Sequence, residues 1–340
     1  MEIIEGKASV ITGEGKLSKK IEGFYNPEMK LNRDIAVWIV NKLKPKKIFD
    51  ANSSTGVRAI RFYLEANAKN ITASEINIDS FKMLRKNIIK NNAKIIALNK
   101  DANEIMSEQE FDYIDIDPFG SPVGFLEKAV LSVKKNGVLA LTATDIGCLS
   151  GRFIGACLRK YLSRPMPCMF SNELGIRILA YRAIIEGEKI CKNFMPVFCH
   201  AGKHYYRVYL KNVSKAAGNI GFILICRKCL NFKVSEKNDD VCCSKRMDFA
   251  GPLYIGKLFE NNLIKGFDLI PNILQEAKIG TVGYYDTHYL AKKLNLPKTP
   301  KIDGAVNNLI KAGFKASKTH FSPNGIKTDA NLKAFLGAVF

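Results

Sequence analysis

The sequence predicts a doubly wound α/β domain over residues 1–212 and a smaller α+β domain over 213–340, and three observations carry the prediction. From residue 46 to 144 short apolar strands alternate with amphipathic helices, the pitch of a parallel sheet with helical crossovers. The chain has 340 residues, enough for more than one core. Past residue 213 the texture shifts to a cysteine-bearing segment and then to two helices followed by a hairpin.

The elements follow in order. Lys46–Ala51 reads as a short buried strand, Asn52–Gly56 as a small-residue loop, and Val57–Glu65 as a helix with Val57, Ile60 and Leu64 on one face. Strand Asn70–Glu75, helix Ile78–Asn91 and strand Ala93–Leu98 come next, then strand Phe111–Ile116, helix Gly124–Lys134 and strand Gly137–Thr144. Helices are expected at Arg152–Tyr161 and Asn172–Glu186. Strands Asn193–Phe198 and Tyr205–Leu210, turning at Ala201–Lys203, give the sheet an antiparallel edge. In the second domain Ile220–Ile225 is a strand, Ala250-Gly251-Pro252-Leu253 a break, and a helical stretch runs to about Ala277. Helices Tyr284–Leu294 and Ile302–Ala312 flank a turn at Pro297-Lys298-Thr299-Pro300, the second opening at Asp303 as N-cap. Phe314–Phe321 then reads as a strand and Ser322–Gly325 as a turn, an order resembling a winged helix.

The net charge is +20. Residues 213–340 carry 19 Lys/Arg against 10 Asp/Glu and residues 1–212 carry 33 against 22, so the excess is spread over the chain and is not a basic tail. A field of that sign favours a polyanion, nucleic acid first and an anionic membrane surface second. A Lys-rich surface that keeps the protein soluble is the plainer alternative. No uncharged apolar run is long enough to span a bilayer, and the acidic, alternating Met1–Glu5 is no signal peptide. A cytoplasmic protein is expected, with no membrane association and no obligate protein partner evident.

In a doubly wound sheet the ligand lies beyond the carboxyl ends of the strands. After the first strand comes Asp50-Ala51-Asn52-Ser53-Ser54-Thr55-Gly56, whose small side chains let backbone approach a ligand. It is not G-x-G-x-x-G, so a dinucleotide pyrophosphate is poorly supported. Glu75, after the second strand, is placed to accept hydrogen bonds from two ribose hydroxyls, and Asp101-Ala102, after the third, to read an adenine edge. Each acid alone also fits a helix cap. As an ordered set they describe an adenosine pocket without a phosphate cradle, which suits S-adenosylmethionine better than NAD.

The strand Phe111–Ile116 ends in Asp117-Pro118-Phe119-Gly120. An exocyclic amine on a nucleobase is a weak nucleophile, because its lone pair is delocalised into the ring. A carboxylate at Asp117 and a neighbouring carbonyl can accept its N–H bonds and favour the tetrahedral nitrogen that attacks a methyl sulfonium. Pro118 stiffens the turn, and Phe119 offers a face on which a flipped base stacks. A tight turn that caps the next helix is the alternative for this segment alone. Asp115 is read as structural.

These residues bring the chain into line with a known family: it resembles the tRNA guanine-26 N2-dimethyltransferases over nearly its whole length. The matching segments are Phe24-Tyr25-Asn26-Pro27-Glu28-Met29 with Asn32-Arg33-Asp34, Gly56-Val57-Arg58-Ala59-Ile60-Arg61, Asp115 to Pro122, His204 to Val208, and Lys315 to Thr328. The last is the most specific, since no general nucleotide-binding fold requires it. The resemblance implies a Rossmann-like class I methyltransferase domain, transfer of one or two methyl groups to guanine N2, and tRNA as partner. It implies donor contacts at Arg33, Arg58, Glu75, Asp101 and Ala102. The two arginines would be taken for surface charges on spacing alone.

Nine cysteines in a chain without a secretory signal argue against a disulfide framework. Cys148, Cys157, Cys168, Cys191 and Cys199 sit among apolar neighbours and read as small core residues. Cys226-Arg227-Lys228-Cys229 is a standard zinc knuckle. The family's second C-x-x-C, aligned back from Ala250-Gly251-Pro252-Leu253, puts its last cysteine at Cys243 and its first on Asp240. Either Cys242 and Cys243 both ligate a structural zinc, or Asp240 joins Cys243, or the site is weakened; four thiolates are favoured. His200, His204 and His288 are expected at the surface or without a role, and His320 to be within reach of RNA. Two other functions remain in view: an adenine-N6 or cytosine-N4 methyltransferase, which shares an acid-proline-aromatic turn, and a non-catalytic RNA-binding protein on a methyltransferase fold.

Overall fold

The computed structural model describes residues 1–13, 23–215, 218–296 and 298–340. The turn expected at Pro297–Pro300 begins outside the described residues. The chain forms two compact units that are not divided at one point near residue 212. The first comprises 1–144, 183–195 and 209–216; the second comprises 145–182, 196–208 and 217–340.

The first unit opens with a hairpin, β1 (Glu2–Glu5) and β2 (Ala8–Ile11), and a one-turn helix at Pro27–Met29 capped by the Asn26 side chain. Helix α1 (Lys30–Leu43) buries Ile35, Ala36, Ile39 and Val40, the spacing of one helical face. It ends where Lys44 turns left-handed and Pro45 follows. Then come β3 (Ile48–Ala51), α2 (Val57–Glu65), β4 (Ile71–Ser74), α3 (Ile78–Lys90), β5 (Ile95–Leu98), α4 (Ala102–Glu108), β6 (Phe111–Ile116), α5 (Val123–Ser132) and β7 (Val133–Ala143). Helix α3 starts at Asn77, whose side chain accepts the N–H groups of Asp79 and Ser80. From β3 to β7 the predicted elements agree with the observed ones to within a few residues; α4, like β1, β2 and α1 before residue 46, is not among those predicted.

Beyond β7 the chain continues through α6 (Ile146–Leu149), α7 (Ile154–Tyr161) and α8 (Ser171–Glu188) into β8 (Asn193–Gly202) and β9 (Tyr205–Val213). The seven-stranded sheet has the order β5-β4-β3-β6-β7-β9-β8. Strands β3 to β7 pair in parallel. Adjacent strands joined by two residues, as β8 and β9 are, can only run antiparallel. The central strands β3, β4 and β6 are buried along nearly their whole length, as a sheet covered on both faces requires, whereas β5 at the edge is only partly covered.

The second unit adds β10 (Ile220–Ile225), β11 (Phe232–Ser235), the short hairpin β12 (Val241–Cys242) and β13 (Lys245–Arg246), and β14 (Asp248–Tyr254). The expected break at Ala250–Leu253 is in fact the middle of β14. In the sheet order β11-β10-β14 that strand lies at an edge, with a register shift opposite Gly221–Ile223, and an edge tolerates the missing N–H of Pro252. The helical stretch expected up to Ala277 is two short helices, α9 (Asn261–Ile264) and α10 (Ile273–Ile279), because Gly266 and Pro271 interrupt it. Tyr285–Asp286 forms β15 instead of opening a helix, and α11 (Thr287–Lys293) starts one residue later with Asp286 as its cap. Helix α12 (Ile302–Lys311) begins at Lys301, so Asp303 lies in its first turn and not at the cap; β16 (Ala316–Lys318), β17 (Gly325–Thr328) and α13 (Leu332–Val339) finish the chain.

A buried ion network organises this unit. Glu173 accepts from Arg177 Nε at 2.9 Å, from Lys327 Nζ at 2.6 Å and from the Gly283 N–H at 3.0 Å. Burial alone would raise its carboxyl, but Lys327 and Arg177 outweigh that and hold it at about 2. The stability it contributes is therefore present above the ordinary carboxylate range and is lost as pH falls through about 2. Glu173→Gln leaves two buried cations short of a partner and is expected to cost about 3–5 kcal/mol. Denaturant unfolding at pH 7 and pH 3 checks this: the deficit should be largest at pH 7 and clearly smaller at pH 3, because below the ordinary carboxylate range the unfolded wild-type chain takes up a proton that the folded Glu173 does not.

Candidate active site and cysteine cluster

The strand order reverses between β3 and β6, so the crevice for a ligand opens at their carboxyl ends. The register sets Asp50 beside Asp115 and Ala51 beside Ile116. After β3 the chain turns sharply, with Asn52, Ser54 and Gly56 all at positive φ (60°, 48° and 77°). Ser53 Oγ donates to Asp50 O at 2.7 Å, and the Ser53 N–H donates to Ser74 O at 2.9 Å, which fixes the turn to the next strand. A Cβ on Gly56 would lie 2.3 Å from Leu84 Cδ1, so both conformation and packing require glycine there.

Arg58, on the first turn of α2, is only 5% exposed. Its Nη1 donates to Asn32 Oδ1 at 3.0 Å and its Nη2 pairs with Asp117 Oδ2. Its Nε lies 3.5 Å from Asp115 Oδ1 and 3.9 Å from Asp50 Oδ1. Three carboxylates thus share one guanidinium. Burial pushes the Asp50 carboxyl well above the usual carboxylate range; Arg58 opposes that shift and the Asp115 carboxylate adds to it. Asp50 Oδ2 and Asn52 Oδ1 are buried with no hydrogen-bond partner. Each such orphaned acceptor costs about 1–3 kcal/mol unless a ligand donor satisfies it.

Arg33 belongs to a second network. It donates to both oxygens of Glu5, at 2.8 and 2.5 Å, and to the Asn26 carbonyl at 3.0 Å. Arg61 and the Tyr25 hydroxyl complete the shell around Glu5 at 2.7 and 2.8 Å. Burial would raise the Glu5 carboxyl, but Arg33 foremost holds it at about 2. This network fastens the first hairpin and the Phe24–Met29 segment to α1 and α2.

The remaining predicted donor contacts lie on the loops after β4 and β5. Glu75 accepts the Ser54 N–H at 3.0 Å and the Asn77 N–H at 2.9 Å; an ionised carboxylate retains capacity for further donors. Asp101 caps α4 through Oδ1, 2.7 Å from the Asn103 N–H, and Ala102 is buried at the first position of that helix. Beyond β6, Pro118 is buried while Phe119 is 45% exposed, with Phe24 edge-on at 4.6 Å between centroids. Gly120 exchanges two hydrogen bonds with Thr144 at the end of β7, through Thr144 Oγ1 at 2.7 Å and the Thr144 N–H at 2.8 Å. The turn bearing Asp117 and Phe119 is thereby anchored on both sides.

The four cysteines of the second unit converge. Sγ atoms of Cys226, Cys229, Cys242 and Cys243 lie within 4.8 Å of one another. Adjacent residues on a strand point to opposite faces, yet Cys242 and Cys243 place their sulfurs 3.8 Å apart. Positive φ at Cys243 and Ser244 (52° and 60°) turns the hairpin tightly enough to do so. The Asp240 carboxylate is turned elsewhere, to the Val241 N–H and Lys233. Of the five cysteines read as core, Cys148, Cys157 and Cys199 are buried, Cys168 is partly so, and Cys191 is exposed in a left-handed turn after α8.

Several residues of these sites escaped the sequence reading. Glu5 drew no functional reading in the acidic, alternating Met1–Glu5 segment, although the alternation of β1 places it inward. Asn32 is a polar residue on an otherwise apolar helix face, and Phe24 sits in a quoted motif; both were legible signals. Two histidine expectations fail. His200 is fully buried, and His320 is no RNA contact: its side chain is 2% exposed, with Nδ1 2.8 Å from Glu276 Oε2.

A family model described as N2,N2-dimethylguanosine tRNA methyltransferase matches residues 3–339. The tRNA (guanine(26)-N(2))-dimethyltransferase of Pyrococcus abyssi is 32% identical over 377 aligned residues, which take in all of this chain and 98% of that protein. The tRNA (guanine(26)-N(2)/guanine(27)-N(2))-dimethyltransferase of Aquifex aeolicus is 33% identical, over 98% of this chain and 94% of its own. Among solved structures, the complex of Trm1 from Pyrococcus horikoshii with S-adenosyl-L-methionine matches at a TM-score of 0.88 and 30% identity, covering 100% of this chain and 99% of that one.

Gly56→Ala forces a Cβ into the left-handed region and against Leu84. It is expected to cost about 1–3 kcal/mol, read as a lower denaturation midpoint at an unchanged denaturant slope.

Proposed function

Since the chain belongs to the N2,N2-dimethylguanosine tRNA methyltransferase family, we propose that the crevice between β3 and β6 is its methyl-transfer site, with Asp117, Pro118 and Phe119 on the acceptor side and Arg33, Arg58, Glu75, Asp101 and Ala102 around the donor. The enzyme moves methyl groups from S-adenosylmethionine to the N2 amine of guanine in tRNA. The observation that carries the assignment is the guanidinium of Arg58 held among three carboxylates beside two orphaned acceptors, Asp50 Oδ2 and Asn52 Oδ1. An anionic pocket with unsatisfied acceptors suits a donor that carries a sulfonium and an ammonium.

When bound, the donor supplies an electrophilic methyl group; the rest is positioning by the chain. Glu75 accepts from ribose hydroxyls while still holding the Ser54 loop, and Asp101 with the Ala102 N–H faces the adenine. Arg58 pairs with the Asp117 carboxylate and orients it beside the strand end. Asp117 accepts an N–H of the guanine amine and draws its lone pair out of conjugation, and Phe119, with Phe24 at its edge, provides the stacking surface for the flipped base. Besides its proposed place beside the donor, Arg33 holds Glu5 and the Asn26 carbonyl and so fixes the segment that carries Phe24.

Four thiolates about 2.3 Å from a tetrahedral ion stand about 3.8 Å apart. The Cys229–Cys242 and Cys242–Cys243 separations of 3.6 and 3.8 Å fit that geometry, so Cys226, Cys229, Cys242 and Cys243 would hold a structural zinc. Helix α10, strand β15, helices α11 and α12, and strands β16 and β17 follow one another in the order of a winged helix. Their sheet order β15-β17-β16 supports that reading and a role in tRNA binding. Among the described residues no helix is long and apolar enough to cross a membrane, and a cytoplasmic location accords with a tRNA substrate.

Incubation of unmodified tRNA with methyl-labelled donor, followed by nucleoside analysis, tests the proposal. Label should appear in N2-methylated guanosine and vanish when guanine 26 is replaced by adenine. Label in methyladenosine, or none, contradicts it. Asp117→Ala should lower transfer at least about 10²-fold while donor affinity by calorimetry stays within a few-fold; near wild-type transfer would overturn the role of the carboxylate. Chelation or Cys229→Ser should release the metal and lower the melting temperature or tRNA affinity, without slowing single-turnover methyl transfer on tRNA that is already bound.

A further inference from the structure

We infer that a groove of three arginines beside the cysteine cluster binds phosphates of the tRNA; the inference rests on the tRNA methyltransferase reading and adds a surface by which the second unit holds its substrate. The groove encloses about 200 Å³, and Ile154, Arg164, Arg227, Arg246, Asp248 and Phe249 line it together with neighbouring residues. The three arginines come from three separate segments. Arg227 stands with Lys228 at the tip of the Cys226–Cys229 knuckle, and Arg246 follows the Cys242–Cys243 turn in the β12–β13 hairpin. Arg164 is tied to the edge of β14 by two backbone bonds with Gly251, at 3.0 and 2.9 Å.

Three guanidiniums converge on a lining that holds one carboxylate, Asp248. Arg227 pairs with Asp248 at 2.5 Å and Arg246 with Asp239 at 2.7 Å, and all four side chains are more than half exposed. Surface pairs of this kind contribute about 0–1 kcal/mol, so they yield readily to a phosphodiester, which the planar fork of arginine binds through two parallel hydrogen bonds. Arg164 lies over the Phe249 ring at 5.4 Å, which presents its guanidinium on a rigid floor.

The neighbouring surface favours RNA over an acidic polypeptide. Phe153, next to Ile154, is 54% exposed, and the Arg152 guanidinium lies 5.5 Å from its ring centroid. An exposed aromatic under an arginine is a platform for an unpaired base. Arg159 and Lys160 continue the basic surface along α7. The cysteine cluster gains a purpose from this arrangement: it fixes the knuckle that carries Arg227 against the short, poorly buried hairpin that carries Arg246.

The test is tRNA binding by an Arg164→Gln/Arg227→Gln/Arg246→Gln variant, measured from about 50 to 200 mM salt. Affinity should fall at least tenfold, and the slope of log affinity against log salt should become shallower by about two to three units. Donor affinity and melting temperature should match the wild type. The corresponding triple Arg→Lys variant keeps the charge and should restore most of the slope. Arg164→Gln alone lies outside the cysteine segment and should weaken binding about threefold with that segment untouched. A triple Gln variant with wild-type affinity and slope, in a protein that methylates tRNA, overturns the groove alone. A wild-type protein that neither binds nor methylates tRNA overturns the functional reading with it.

Discussion

The guanidinium of Arg58 is the contact on which the first unit depends. Asn32 reaches it from α1, Asp50 from β3, Asp115 from β6 and Asp117 from the turn beyond β6, so four segments outside its own helix meet at one cation. A buried charge is tolerated only when it is paired and hydrogen-bonded, and several kcal/mol are at stake for each ion. The same requirement places α2 against the ends of β3 and β6, which is where the reversal of strand order opens the ligand crevice. Structural and chemical demands therefore coincide at one residue: the cation that makes three carboxylates compatible with burial also fixes one of them, Asp117, at the carboxyl end of β6, the proposed acceptor side.

The surrounding networks follow the same logic. Glu5, held ionised by Arg33 and Arg61, ties the first hairpin to two helices and so sets the position of Phe24 against Phe119. In the second unit Glu173 joins Arg177 of its own helix to Lys327 and the Gly283 backbone, and Glu276 receives Thr319 Oγ1, at 2.8 Å, and His320. The chain segment Lys315–Thr328 is distinctive in sequence because it carries these buried partners. It is an internal fastening more than a surface for RNA.

The alternating strands and helices of residues 46–144 were legible because burial on both faces gives parallel strands continuous apolar runs, and helices a face of period 3.6. The acids at strand ends could be placed for the same reason: once the strands are known, their carboxyl ends are known. Arg33 and Arg58 were not legible from pattern, since local spacing cannot distinguish a surface arginine from one whose partners lie 26 to 59 residues away. The second unit was harder. Its helices and strands are short, β14 carries a glycine and a proline in mid-strand, and the left-handed turn that unites Cys242 with Cys243 is built without glycine.

Unfolding of Arg58→Met as a function of pH tests the central role of this cation most directly. With the guanidinium gone, the buried Asp50 carboxyl loses the cation that opposes its upward shift, so its folded-state titration moves further up and the native state binds more protons than the unfolded chain. The variant should then be less stable than the wild type at pH 5, and the deficit should widen steadily towards pH 8. A variant that unfolds at the same denaturant concentration as the wild type across that range would contradict the account.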